Sequence, residues 1–167
     1  METWNAIASR LDIRSFESRS ISKADIDQIL EAARRTPSSR NSQPWDFVVV
    51  TDRAVLQELS RVWRGAGHVA RSAATIALIT PDGDRSSVQY DLGQATMSIM
   101  LAAADLGLGS GHALVADHAL AAKVLRLPPD RSCAWLIPLG YPSDGPLRPI
   151  TRPNRRAFDD VVHREHW

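Results

Sequence analysis

Apolar side chains recur along this chain at two periods, and the alternation of the two predicts a layered α/β or α+β domain. Trp4, Ile7, Ala8 and Leu11 fall at helical spacing and predict a short first helix ending near RLDIR. Ser22 caps a second helix, with Asp25 three residues on as a capping box. Its stripe is Ile26, Ile29, Leu30 and Ala33, and Pro37 ends it. The block FVVV reads as a strand. Asp52 caps a third helix with the stripe Val55, Leu56, Leu59 and Val62, and TIALIT is the next strand.

PDGDRSS reads as a turn, and the longest helix runs from about Val88 to Leu106. Leu92, Ala95, Ile99, Met100, Ala103 and Leu106 line one side of it. Small residues elsewhere, Gly93, Ala102 and Ala104, predict burial all round. Glycines 107, 109 and 111 punctuate its end, HALV is a short strand, and Asp117 caps a helix running through Leu120, Val124 and Leu125 to Pro128. CAWLIPLGY is the last core strand. Beyond it PSDGPLRPITRPNRRAF holds too much proline for regular structure. The end of the chain, with FDDVV and Trp167, is too apolar for a free tail, so residues from about 142 to 167 read as an arm laid on a partner surface. No repeat or second domain boundary interrupts residues 1–167.

Composition narrows the function classes. The 167 residues are 44% hydrophobic and 23% charged, with 20 basic against 19 acidic side chains and a net charge of +1. No overall field argues for nucleic acid as a partner. No apolar run approaches the roughly 20 residues of a membrane span, and Glu2, Arg10 and Asp12 break any signal-peptide pattern, so a cytoplasmic protein is expected. The single cysteine, Cys133, reads as a small buried apolar residue.

No hydrolase or nucleotide motif is present: GxSxG, GxGxxG and GxxxxGK[ST] are all missing. GLGSG follows a helix and not a strand, so it reads as helix termination. Histidines 68, 112, 118, 163 and 166 lack the paired cysteines or HExxH spacing of zinc sites and read as solvated or hydrogen-bonded side chains. Two features carry more. Arg10 and Arg14 flank a helix end, and Arg152, Arg155 and Arg156 lie in the arm, where guanidinium groups suit a phosphate monoester or, alternatively, pair with Asp159 and Asp160. TPSSRNSQPWDF places two serines, an asparagine and a glutamine between prolines. It is a pre-set loop of donors and acceptors able to read a polar heterocycle edge or a ribityl chain.

At these residues the chain resembles the FMN-dependent nitroreductase family. RLDIRSF resembles the family's arginine-serine phosphate motif, and AARRTPSSRNSQPWDFVVV is similar to its most specific signature. DLGLGS, IPLGYPSD and NRRAFDDVVHREHW follow in the family's order, so the resemblance covers nearly the whole chain. It implies an α+β, three-layer fold with a central, mostly antiparallel sheet flanked by helices. It also implies a homodimer with swapped terminal arms and two FMN sites at the subunit interface. NADH or NADPH is the implied co-substrate and a nitroaromatic, quinone or similar small molecule the acceptor.

By matching position, the resemblance assigns Arg10, Arg14 and Arg155 to the FMN phosphate. It brings Pro37, Ser38, Ser39 and Asn41 to the flavin from the other subunit, and sets backbone amides near Leu114 and Val115 at the redox-active edge. A flavin carries the hydride chemistry itself, so the protein needs no nucleophile. The chain departs from the family at Leu11 and Asp12, which replace a second basic residue and a serine. His68 stands where a lysine often approaches the flavin's pyrimidine edge, and GHALV follows GLGS. Only PDGDRSSVQY separates TIALIT from the long helix, where many members insert a lid. These features describe a minimal member with an open or differently covered pocket, in which Asp12 is held by an arginine or a ribityl hydroxyl. The aspartate also resembles the flavin-consuming dimethylbenzimidazole synthases of the same superfamily. An oxygen-dependent flavin reaction of that kind, or flavin sequestration with little turnover, are the alternatives to an NAD(P)H oxidoreductase.

Overall fold

A computed structural model describes residues 2–83 and 86–167. Asp84 and Arg85 of the turn read in PDGDRSS lie outside the described residues. The elements in chain order are α1 (Thr3–Ser9), α2 (Lys23–Arg34), β1 (Asp46–Val50), α3 (Arg53–Leu59), β2 (Ala74–Pro81), α4 (Ser86–Asp105), β3 (Gly109–Ser110), β4 (Ala113–Leu114), α5 (His118–Leu125) and β5 (Arg131–Gly140). One-turn 3₁₀ segments occur at Ser39–Asn41 and Phe158–Asp160, and a longer one at Gly67–Arg71.

The strands form a five-stranded antiparallel sheet in the order β1-β2-β5-β3, with β4 also paired to β5. Period-two alternation along β2 sends Ile76 and Leu78 to one face and Ala77 and Ile79 to the other. On the first face Ile26, Ile29 and Ala33 of α2 pack with Leu92, Ala95, Ile99 and Ala103 of α4. On the second, Leu56 and Leu59 of α3, Val62, Val69 and Ala121 of α5 close over Cys133 and Leu136. Three layers result, as the resemblance implies. Burial pushes the Cys133 thiol up to about 12, so it packs as an inert apolar group.

The caps read from the sequence are made. Ser22 Oγ accepts from the Asp25 N–H at 3.1 Å and donates to the Asp25 carboxylate at 2.7 Å, a variant of the box in which the acid holds the serine hydroxyl and not its amide. Asp52 and Asp117 accept from Val55 N–H and Leu120 N–H at 3.0 and 2.8 Å. Each such cap stabilises its helix by about 1 kcal/mol. Gly107, at φ 73°, ends α4 in a Schellman turn in which the Leu108 N–H donates to the Ala103 carbonyl at 2.8 Å.

The first helix forms as predicted, with its apolar side chains outward: Trp4 is 75% exposed and Ile7 is exposed, Ala6 and Ser9 are buried, and Leu11, beyond the helix end, is also exposed. Three expectations need correction. Helix α4 is not buried all round within one chain, because Gly93, Tyr90 and Met97 lie exposed on one face. The glycine run does more than end a helix, since Gly109 and Ser110 pair with Gly140 and Leu139 of β5. In the arm, Arg156 donates to the Asp160 backbone carbonyl and not to a carboxylate, and Arg155 donates to the Asn154 carbonyl.

Candidate functional site

The segment RLDIRSF runs along the sheet's short edge. Asp12 bridges Ser110 in parallel, and the Ile13 N–H donates to the Ser110 carbonyl at 2.8 Å. The next turn of chain is held just as closely. A Cβ on Gly111 would meet the Ile13 carbonyl at 2.6 Å, so only glycine admits the N-terminal segment at this distance. The close approach sets Asp12 beside His112, with Arg10 next to Asp12.

Two adjoining cavities open there. One, of about 460 Å³, is lined by Arg10, Asp12, His112, Gly93, Met97 and Trp135 among others. The second, of about 560 Å³, is lined by Leu114, Val115, His118 and Ser132 among others, and shares Gln89 and Trp135 with the first. Trp135 therefore forms a wall common to both. A register shift in the β2–β5 pairing leaves Ala134 unpaired between Cys133 and Trp135, and such a bulge re-aims the side chain beside it. The His112 ring meets Trp135 edge-on, with centroids 5.8 Å apart.

Asp12 Oδ1 lies 3.4 Å from Arg10 Nη1 and 3.4 Å from His112 Nδ1, so one carboxylate oxygen meets both side chains. Arg14 forms no ion pair among the described residues. His68, on the 3₁₀ segment Gly67–Arg71, is 6% exposed, and its Nε2 is buried without a hydrogen-bond partner. That nitrogen faces Gly111, 3.6 Å from where a Cβ there would lie. Burial, and then the Arg14 guanidinium, hold the imidazole below its ordinary 6.5 and favour the neutral ring.

One chain thus brings Arg10 and Asp12 to a cavity adjoining the one lined by Leu114 and Val115, while Arg14 lines neither cavity and acts on His68. His68 stands behind Gly111 and does not line either cavity. The loop with Pro37, Ser38, Ser39 and Asn41 lies against α4, where Ser39 lines a third cavity of about 690 Å³ that shares Pro81 and Gly83 with the second but does not include Arg10 or Asp12. Arg155 lies in the exposed arm, and among the described residues it makes no ion pair with Asp12. The arm is tied back through the Ile150 N–H, which donates to the Ala8 carbonyl at 2.9 Å.

Sequence reading missed Gln89, Trp135 and Asp91, and gave His112 no role at the site. Trp135 was legible only as a strand residue, because the bulge that turns it toward the cavities leaves no mark in composition. Asp91 has a faint signal, an acid inside the apolar pattern of α4. Among the described residues no group of His, Cys, Asp and Glu side chains could hold a metal ion, and no helix is long and apolar enough to cross a membrane.

A family model described as the nitroreductase family matches residues 7–65 and 60–141. A protein of Archaeoglobus fulgidus that carries the name NADH dehydrogenase/NAD(P)H nitroreductase is 34% identical over 175 residues, covering 99% of both chains. A crystal structure from Parabacteroides distasonis, with the same name, superposes with a TM-score of 0.87 at 26% identity, covering 100% of this chain and 99% of its own. An FMN-dependent nitroreductase from Clostridium difficile shares the fold at a TM-score of 0.87 and 24% identity, covering 100% of both chains.

Proposed function

This chain belongs to the nitroreductase family, and from that premise we propose that it is an FMN-dependent oxidoreductase that moves reducing equivalents from NADH or NADPH to a small acceptor such as a quinone or nitroaromatic. The names carried by its relatives support the reading, and so does the chemistry of the residues around Gly111. When bound, FMN would accept a hydride from the nicotinamide and pass electrons on, which agrees with a site rich in binding groups and poor in nucleophiles.

The observation that carries the reading is the pairing of Asp12. A bare carboxylate would repel a phosphate. Here it is engaged by Arg10 and His112, which leaves the Arg14 guanidinium unpaired among the described residues for a charge-assisted bond. Arg10 and Arg14 would hold the phosphate, joined by Arg155 from an arm. Backbone amides of Leu114 and Val115 would donate to the ring's redox-active edge, and Trp135 would wall the ring side of the groove. His68, neutral and behind Gly111, would support that segment from below.

The loop carrying Pro37, Ser38, Ser39 and Asn41 would serve the partner subunit's flavin in a homodimer. Supporting this, the cavity that Ser39 lines does not include Arg10, and Trp4, Ile7, Tyr90, Met97, Phe158 and Trp167 expose apolar surface that a second copy would bury. Steady-state oxidation of NADH and of NADPH by the FMN-loaded protein, with and without a quinone, tests the assignment. Quinone-dependent turnover is expected. Stoichiometric flavin binding without turnover would instead make the chain a flavin-sequestering protein, and an altered flavin product in air would place it with the oxygen-dependent synthases.

A further inference from the structure

Asp91 sits on α4 at 2% exposure. Both its oxygens accept from one backbone donor, the Ser39 N–H, at 3.2 and 3.1 Å, and Gln94 Nε2 stands 3.5 Å from Oδ1. Among the described residues no Lys, Arg or His pairs with it. A buried carboxylate without a counter-charge is costly, and its retention calls for partners that need it.

The partner is a loop whose own hydrogen bonds are all neutral: the Asn41 N–H donates to the Ser38 carbonyl at 2.9 Å, the Ser42 N–H to the Ser39 carbonyl at 3.0 Å and the Trp45 N–H to the Gln43 carbonyl at 2.8 Å. Arg40, Asn41 and Gln43 all carry a Cβ in the left-handed region, at φ 54°, 55° and 48°. Residues 39–43 are exposed, so apolar burial contributes little to their shape. Three side-chain ties add to these bonds. The Gln43 N–H donates to Ser38 Oγ at 2.9 Å, the Thr36 hydroxyl donates to Ser98 on α4 at 2.8 Å, and Asp91 grips Ser39 between these two. Of the three, only the Asp91 tie is charge-assisted, and such bonds are roughly twice as strong as neutral ones.

We propose that Asp91 is a positioning residue for the cofactor: its carboxylate holds the Ser38–Asn41 loop in the one shape that meets the partner subunit's flavin ring. This rests on the proposed role of that loop across a homodimer. Strained backbone kept at a ligand-facing position needs an anchor that over-determines it, and a buried anion on a long, well-packed helix supplies one. Asparagine at 91 keeps one acceptor oxygen without the charge, whereas alanine removes the anchor and leaves the loop to relax.

The test compares wild type with Asp91→Asn and Asp91→Ala by two readouts, with thermal unfolding to establish that each folds. The first is amide hydrogen exchange over residues 39–43 in the flavin-free protein. The second is titration with FMN and with riboflavin. Exchange at Ser39 is expected to rise about tenfold or more in Asp91→Ala and less in Asp91→Asn. Affinity for FMN is expected to fall about tenfold in Asp91→Ala, with an equal fall for riboflavin, because the loop meets the ring and not the phosphate. If the alanine variant does not fold, the asparagine variant carries the same comparison at smaller amplitude. Faster exchange with unchanged flavin affinity would overturn the proposal and leave Asp91 a purely structural anchor, and unchanged exchange would overturn it at its first step. A wild-type chain that binds neither flavin, while exchange at Ser39 still responds to Asp91→Ala, would overturn the flavin reading and with it the cofactor role, a failure distinct from the other two.

Discussion

Asp12 and His112 stand 3.4 Å apart, carboxylate Oδ1 to imidazole Nδ1, and Arg10 Nη1 reaches the same oxygen at 3.4 Å. At about 6 Å and an effective dielectric of about 20, a free carboxylate would repel each unit of phosphate charge by about 3 kcal/mol. Arg10 at comparable range offsets an equal amount. Asp12→Ser is therefore expected to change FMN affinity by less than about tenfold, roughly 1.4 kcal/mol, in a titration at fixed pH and ionic strength. Tightening by a hundredfold would mean that the carboxylate faces the phosphate unshielded.

Gly111 is the narrowest point of the site. A methyl group there meets the Ile13 carbonyl, a backbone atom that cannot rotate away, and approaches His68 Nε2. Gly111→Ala should cost about 1–3 kcal/mol of stability, read from the urea midpoint, and weaken FMN binding as the two segments separate. An alanine variant with wild-type stability would show that the N-terminal segment is free to shift.

His68 gives the fold a pH dependence whose sign follows from its environment. Burial first, and Arg14 second, hold its imidazole below 6.5, so below that pH the unfolded chain takes up a proton that the folded chain resists. The stability due to the neutral ring is present above 6.5 and is lost as pH falls through the folded value. Urea unfolding between about pH 7.5 and about pH 5 should show wild type losing stability more steeply than His68→Gln. Parallel curves would mean that His68 is solvated in the folded state.

Most of the fold is legible in the sequence because the signals are local. Ser22, Asp52 and Asp117 announce three helix starts, Gly107 an end, and the continuous apolar, β-rich run TIALIT a strand, which is buried on both faces. What the chain does not announce depends on partners distant in sequence. The stripe Trp4, Ile7, Leu11 reads like any core-facing stripe, yet it points outward, because a helical period says which residues share a face and not what covers it. The same holds for Tyr90 and Met97 on α4. The resemblance points to Arg10, Arg14, Leu114 and Val115 from local motifs, whereas His112 owes its place to Asp12 and Trp135, and Asp91 chiefly to Ser39. Trp135 owes its orientation to a bulge at Ala134.

Those outward apolar residues bear on assembly. Trp4 and Tyr90 are 75% and 72% exposed, and the arm's Phe158, Val161 and Trp167 add to the surface. Sedimentation at micromolar concentration should give a dimer. Tyr90→Arg, which sets a charge in that face, should weaken the dimer by about tenfold or more and lower FMN affinity with it. A wild-type monomer at that concentration would remove the basis for a site shared between subunits.

The account stands most directly on the phosphate. Wild-type protein freed of ligand, titrated in parallel with FMN and with riboflavin and followed by visible absorbance, separates ring recognition from recognition by Arg10, Arg14 and Arg155. FMN is expected to bind about tenfold or more tightly than riboflavin, saturating at one flavin per chain, with Arg155→Ala narrowing the gap. Equal affinity for the two flavins, or no change in the spectrum of either, would contradict it.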